Sequence, residues 1–167
     1  MTADPESRQD QLIAELHRLR GMGLEVVPVL EKQALVPFKD RSSLPTSKIE
    51  ALIRDGEATG LGLRLGGLTV VDIDVSDPSW VTKAEARFGK TDVRVRTPSG
   101  GIHLYYAGQL DHTPNLKGEG WPVDIKTGEN QYVVCAASWR ADGRSYRVEG
   151  TAIAEGALPP IQDNDAA

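Results

Sequence analysis

Three stretches of this chain alternate polar and apolar residues with a period of two, the period that a β-strand imposes on its side chains. In Val70-Val71-Asp72-Ile73-Asp74-Val75 the two carboxylates share one face, and Val71, Ile73 and Val75 take the other. In Ile102-His103-Leu104-Tyr105-Tyr106, His103 and Tyr105 oppose Ile102, Leu104 and Tyr106. In Val123-Asp124-Ile125-Lys126, Asp124 and Lys126 oppose Val123 and Ile125. Each stretch has one face suited to a core and one that carries charge. If the three strands share a sheet, the charged faces converge.

The surrounding pattern fills in the rest of the domain. Ser7–Met22 reads as an amphipathic helix, with Leu12, Leu16 and Leu19 on one side and Gly21 and Gly23 to stop it. Leu24–Leu30 reads as a short strand whose Pro28 suggests a strand end or an edge, followed by a polar loop over Lys32–Pro45. Ser47-Lys48-Ile49-Glu50 has the spacing of a capping box and opens a second helix. Gly60–Gly67 reads as two short segments joined by flexible glycines, and Leu68–Val75 as the clearest strand. Asp77-Pro78 opens a third helix, with Trp80, Ala84 and Phe88 on one face. Asp92–Thr97 and Ile102–Ala107 read as strands joined by the tight turn Pro98-Ser99-Gly100-Gly101. Gly108–Gly120 reads as a polar loop, and Pro122–Lys126, Gln131–Ala137 and Ser145–Val148 as three further strands. This order of elements predicts an α+β domain over 1–150 in two lobes, then a loose tail over 151–167.

Composition excludes several classes. A net charge of −5, from 19 basic and 24 acidic residues, argues against a surface that coats nucleic acid. A single cysteine, Cys135, rules out an internal disulfide and a cysteine-rich zinc site. No stretch approaches the roughly 18 apolar residues that would span a bilayer, and the N-terminus lacks a signal-peptide pattern. The expected location is the cytoplasm, with no membrane partner.

Like charges side by side repel, and burial makes the repulsion worse unless something compensates. Asp72, Asp74 and Asp124 are hard oxygen donors without a partnering cysteine, a set that suits Mg²⁺ or Mn²⁺ rather than zinc. Carboxylates that hold two such ions about 3.5–4 Å apart are a general device for displacement at phosphorus. A D-x-D on a strand is also common on a solvated sheet face, so the argument rests on the three stretches together. The turn Arg96-Thr97-Pro98-Ser99-Gly100-Gly101 adds backbone N–H groups, two hydroxyls and a guanidinium just ahead of His103, a set of donors suited to a phosphate chain. Ser-Gly-Gly is equally sufficient for a plain hairpin turn.

The ordered motifs Val-Val-Asp72-Ile-Asp74, Arg96-Thr-Pro-Ser-Gly-Gly-Ile-His103-Leu-Tyr-Tyr and Val-Asp124-Ile-Lys-Thr-Gly, followed by Gln-Tyr-Val-Val, resemble the bifunctional primase–polymerase (Prim-Pol) domain of the archaeo-eukaryotic primase superfamily. The resemblance covers about Leu24 to Val148. It implies an α/β lobe and an RRM-like lobe with the active site in the cleft between them. It also implies that Asp72 and Asp74 are a first metal-binding pair and Asp124 the third carboxylate, holding two Mg²⁺ or Mn²⁺ ions. His103 would then contact the phosphates of an incoming nucleotide, with Arg96, Ser99 and Lys126 as further polar contacts; Thr97, Gly100 and Gly101 join this nucleotide-binding set through the donors of the turn itself. The implied activity is template-directed nucleotidyl transfer to a primer 3′-hydroxyl, with dNTP or NTP substrates and a single-stranded DNA template. The segment Cys135-Ala-Ala-Ser138 stands where relatives often show a proline-rich turn with a histidine. The chain also ends soon after the core, so a helicase or a helical accessory domain is expected from another chain. Two rivals share these residues. Asp72 and Asp74 with Asp124-Ile-Lys126 echo the D…D-x-K arrangement of metal-dependent nucleases, and a catalytically silent nucleotide- or nucleic-acid-binding module would keep the same fold.

Overall fold

Leu12, Leu16 and Leu19 recur at helical spacing and are all buried, which fixes the inner face of the first helix. In the computed structural model, which describes residues 5–154 and 157–164, this helix is α1 (Pro5–Gly21). It is followed by β1 (Val26–Leu30), β2 (Gln33–Ala34), α2 (Thr46–Arg54), β3 (Gly60–Ile73), α3 (Ser79–Phe88), β4 (Arg94–Arg96), β5 (Ile102–Ala107), β6 (Val123–Val134) and β7 (Arg147–Val148). The chain is a mixed helix-and-strand protein, consistent with the expected α+β class, and the pairings of β1, β3, β4 and β5 are antiparallel. It forms two compact units, Met1–Arg64 with Glu129–Arg147, and Leu65–Gly128 with Val148–Ala167. The division falls within β3 and β6, inside the span read from the sequence as one domain over 1–150. Among the described residues no helix is long and apolar enough to cross a membrane.

In the first unit, α1 packs on α2 and β1. It ends in a Schellman arrangement: Gly23, at φ 77°, donates to the Arg20 carbonyl, and Leu24 donates to that of Leu19. The expected capping box at Ser47–Glu50 does not form. The carbonyl of Pro45 accepts from Lys48 and Ile49, so α2 starts at Thr46 with no side-chain cap, and Ser47 lies inside the first turn. Pro28 is not at an edge, since β1 lies between β2 and β3. It is tolerated because Val29 and Leu30, not Pro28, form the register with the two-residue β2, while the Pro28 carbonyl accepts from Leu35.

The glycines of Gly60–Gly67 do not break the chain into two segments; β3 runs through them as one strand. A Cβ at Gly62 would stand 2.5 Å from Cδ2 of Tyr132, and one at Gly60 would stand 2.8 Å from Cβ of Ser138. These glycines serve close packing rather than flexibility. Cys135 is buried, and burial pushes its thiol far above the ordinary range.

The second unit is built on the later half of β3, which pairs with β5, and β5 with β4. Val71, Ile73, Ile102, Leu104, Tyr106 and Val123 form one core with Ala84 and Phe88 of α3 and Leu116. Asp77 accepts from the N–H of Ser79 at 2.9 Å and caps α3 as expected, one residue outside its formal N-cap Pro78.

The tail expected to be loose is packed over residues 157–164, while its residues 155–156 and 165–167 lie outside the described ones. Pro160 bridges to Ala107 of β5, and Gln162 and Asn164 donate to the carbonyls of Phe88 and Arg87. Arg87, 9% exposed, donates from Nε to Asp163 Oδ1 at 2.9 Å, with Glu119 as a second carboxylate at 3.4 Å. A small, acidic, proline-containing segment reads as loose from composition, but its backbone is satisfied by the edge of β5 and its carboxylate by a buried arginine. Asp163→Ala is therefore expected to cost about 2–3 kcal/mol, less than a fully orphaned buried charge because Glu119 remains. It should lower Tm by roughly 5–10 °C and make residues 157–164 a preferred site of limited proteolysis. An unchanged Tm and protease pattern would show that Asp163 does not hold this segment.

Candidate active site

The later half of β3 offers two sets of neighbours, and register decides which side chains meet. Asp72 stands directly opposite His103 of β5. On the other side of β3, the Asp74 N–H donates to the Pro122 carbonyl at 2.9 Å, and the hydroxyls of Thr69 and Thr127 lie 3.1 Å apart. Both contacts fall at the same antiparallel offset, which puts Asp124 of β6 opposite Asp72 and Lys126 opposite Val70. Directly opposed residues share a face. His103, Asp72 and Asp124 therefore form one row across three strands, and Tyr105, Val70 and Lys126 form the next. Val71, Ile73, Leu104 and Val123 point to the opposite, apolar side as the alternation predicts.

Asp72 is mostly buried, its side chain 17% exposed, and His103 Nε2 lies 3.4 Å from its Oδ1 with the histidine side chain 7% exposed. Burial raises the Asp72 carboxyl. The hydrogen bond from His103 and the positive charges of His103, Lys126 and Lys117 outweigh it and hold the group below the usual carboxylate range. Asp72 is thus ionised at neutral pH. Asp74 falls just past the end of β3, half-exposed, and its Oδ2 accepts from Lys117 Nζ at 2.5 Å. Asp124 is exposed and Lys126 half-buried.

Lys117 is the residue that sequence reasoning missed. It lies in the stretch read as a featureless polar loop, where no periodicity marks it. Leu116 beside it is buried in the core of this unit, and that anchor raises Lys117 toward the carboxylates. The hydrogen bond and charge of Asp74, with the more distant charges of Asp124 and Asp72, lift the Lys117 ammonium above its ordinary value.

The structure does not bring Arg96 to this face. Val95 is the residue of β4 opposite His103, so Arg96, opposite Ile102, points to the other side of the sheet. There it donates to Glu149 Oε2 at 2.6 Å and to the Gly100 carbonyl at 3.1 Å. The turn that follows is closed on itself. Thr97 donates to the Gly101 carbonyl and Gly100 donates to that of Thr97, both at 3.0 Å, and the hydroxyls of Thr97 and Ser99 lie 3.3 Å apart. A hairpin accounts for these groups, and the N–H of Gly100 is spent inside the turn. Gly100 supplies the positive φ, at 94°, and Gly101 allows a close approach: a Cβ there would stand 2.4 Å from the Ile73 carbonyl oxygen. The turn thus abuts the end of β3 that carries the two aspartates.

The carboxylates fit a divalent cation by donor type and by backbone placement, with Asp72 and Asp124 opposed and Asp74 two residues on. Their side chains are turned elsewhere, Asp72 to His103 and Asp74 to Lys117. Among the described residues no group of three or more His, Cys, Asp or Glu side chains stands ready to hold a metal ion.

No curated protein sequence matches the chain. The family model described as bifunctional DNA primase/polymerase, N-terminal, matches residues 16–161, a span that contains every element from the later part of α1 to β7. The chain belongs to the Prim-Pol family of DNA primase/polymerase-type nucleotidyltransferases.

Proposed function

We propose that the chain is a template-directed nucleotidyltransferase that adds nucleotides to a primer 3′-hydroxyl. The observation that carries this reading is the row formed by Asp72 with His103 across β3 and β5 and with Asp124 at the offset that the β3–β6 contacts set, in a Prim-Pol chain. Asp72, Asp74 and Asp124 would hold two divalent cations, Mg²⁺ or Mn²⁺. Such ions, when bound, supply Lewis acidity to the attacking hydroxyl and to the triphosphate. The chain's own part is to fix the substrates and balance their charge. His103 lies beside Asp72, where a phosphate oxygen can take a charge-assisted hydrogen bond, and Lys126 adds positive charge one row away. Its substrates on this reading are dNTPs or NTPs and a primer on single-stranded template DNA, and its two lobes are the α/β and RRM-like lobes of the family.

The test is incubation with labelled primer–template and Mg²⁺ or Mn²⁺, with and without dNTPs. Lengthening that requires dNTPs is expected; shortening without them would replace this reading with a nuclease. His103→Ala is expected to raise the nucleotide KM about tenfold or more, the worth of one hydrogen bond to a charged group. DNA affinity, measured by fluorescence anisotropy, should stay unchanged. An equal KM in variant and parent would remove His103 from the phosphate-binding role.

A further inference from the structure

Two of the carboxylates proposed to bind divalent cations are engaged here by side chains of the chain itself, Asp72 by His103 and Asp74 by Lys117, and Lys117 has no role in the reading above. Lys117 is carried by a tightly closed turn. Glu119 donates to the carbonyls of Asn115 and Leu116, Gly120 to that of Lys117 and Trp121 to that of Leu116, while Asn115 Oδ1 accepts from Gly118. Leu116, 2% exposed, pins this turn to the core of its unit. The Lys117 backbone is therefore held in place, and its ammonium reaches Asp74 Oδ2.

We infer that Lys117 is a built-in counter-cation for the carboxylate group, which a divalent ion must displace from Asp74 in order to bind. The inference rests on the nucleotidyl-transfer reading only through its assignment of Asp72, Asp74 and Asp124 as cation ligands. An ammonium hydrogen-bonded to a carboxylate oxygen takes both the charge and the space a metal ion would use at that oxygen. Lys117 also lies within the field of Asp72 and Asp124, so it offsets like charges that directly opposed strands bring together. This accounts for an arrangement with the right donors in the right rows but no three of them converged. Elsewhere on the surface an ion pair with side chains 51% and 42% exposed would be an ordinary solvated contact. Beside two further carboxylates, it sets the affinity of whatever cation replaces it.

The experiment is a titration of the full chain with Mn²⁺ alone, without nucleotide or DNA, with free Mn²⁺ read by its electron paramagnetic resonance signal. Lys117→Gln is expected to bind Mn²⁺ about two- to fivefold more tightly than the parent, the range an exposed ion pair supports. Lys117→Arg, which keeps the charge, should bind like the parent. So should Lys90→Gln, an exposed lysine between α3 and β4 whose loss changes the net charge equally. Equal or weaker binding by Lys117→Gln, or an equal gain in Lys90→Gln, overturns the inference. Asp72→Asn separates the two levels. If the parent binds no Mn²⁺ that Asp72→Asn loses, the metal-site reading and the Lys117 inference fall together. If Asp72→Asn abolishes binding while Lys117→Gln leaves it unchanged, Lys117 alone loses its role.

Discussion

Asp72→Asn is expected to lower primer extension by about a thousandfold or more while Tm moves by no more than about 4 °C. The activity side follows from position. Asp72 is the middle member of the row, with His103 opposite it on β5 and, by the offset of the Asp74–Pro122 and Thr69–Thr127 contacts, Asp124 opposite it on β6, and Asp74 two residues on, just past the end of β3. Every proposed cation contact therefore includes or adjoins it. Loss of such a ligand removes several kcal/mol of charge stabilisation from displacement at phosphorus, and each 1.36 kcal/mol is a factor of ten. The stability side follows from two opposed effects. The amide keeps the shape and weakens the bond to His103, which costs about 0.5–1.5 kcal/mol. It also removes one of two like charges set directly across a strand pair, which returns roughly 0.2–1 kcal/mol. The two offset each other to within about 1 kcal/mol, worth about 2–4 °C in a chain of this size. Extension assays and a thermal melt on the same preparation check both halves. Parental extension by Asp72→Asn would remove this carboxylate from the reaction. A large fall in Tm would make the lost activity a folding effect.

Much of this site is legible in the sequence because strand alternation is a local property. Once Val71 and Ile73 face a core, Asp72 must face away from it, and the same holds for His103 between Ile102 and Leu104. What the sequence does not carry is register and contact at a distance. Arg96 belongs by composition with the phosphate-binding set, yet pairing of Val95 with His103 turns it to the other face, where Glu149 takes its charge. A shift of one residue decides this, and nothing within Arg94–Arg96 announces it. Lys117 depends on the burial of Leu116, an isolated apolar residue among polar ones. Pro122–Lys126 and Gln131–Ala137 read as two strands, and the segment between them, Thr127–Asn130, is polar and contains a glycine. Gly128, at φ 93°, instead lets the strand continue from Val123 to Val134. The continuity of β3 through Gly60 and Gly62 has the same kind of cause, since Tyr132 and Ser138, far along the chain, fill the space where their side chains would be.

The turn before His103 gives the second large effect, and its cause is steric rather than electrostatic. Gly101→Ala is expected to lower stability by about 2–3 kcal/mol, toward the upper part of the range for overpacking, and to reduce extension well beyond what the lost stability explains. The new methyl would stand 2.4 Å from the Ile73 carbonyl oxygen, 3.2 Å from Thr97 Oγ1 and 3.5 Å from the Asp74 carbonyl carbon. The nearest of these is backbone and cannot rotate away, so either the hairpin or the end of β3 must move. The end of β3 carries Asp72 and Asp74, and a displacement of about 1 Å in a reacting constellation can cost about a hundredfold in rate. Gly100→Ala is the comparison. Its Cβ would meet only Ser76 Cβ, at 3.5 Å, so that substitution is limited to the strain of an alanine at φ 94°, about 1–2 kcal/mol. Its methyl does not press on the aspartates. The two variants sit side by side in one turn and differ in which backbone they crowd. If the turn acts as a spacer for β3, Gly101→Ala loses extension at temperatures where both variants are fully folded, and Gly100→Ala keeps most of it. Equal losses in the two would mean that the turn itself, through groups both substitutions disturb, touches the substrate.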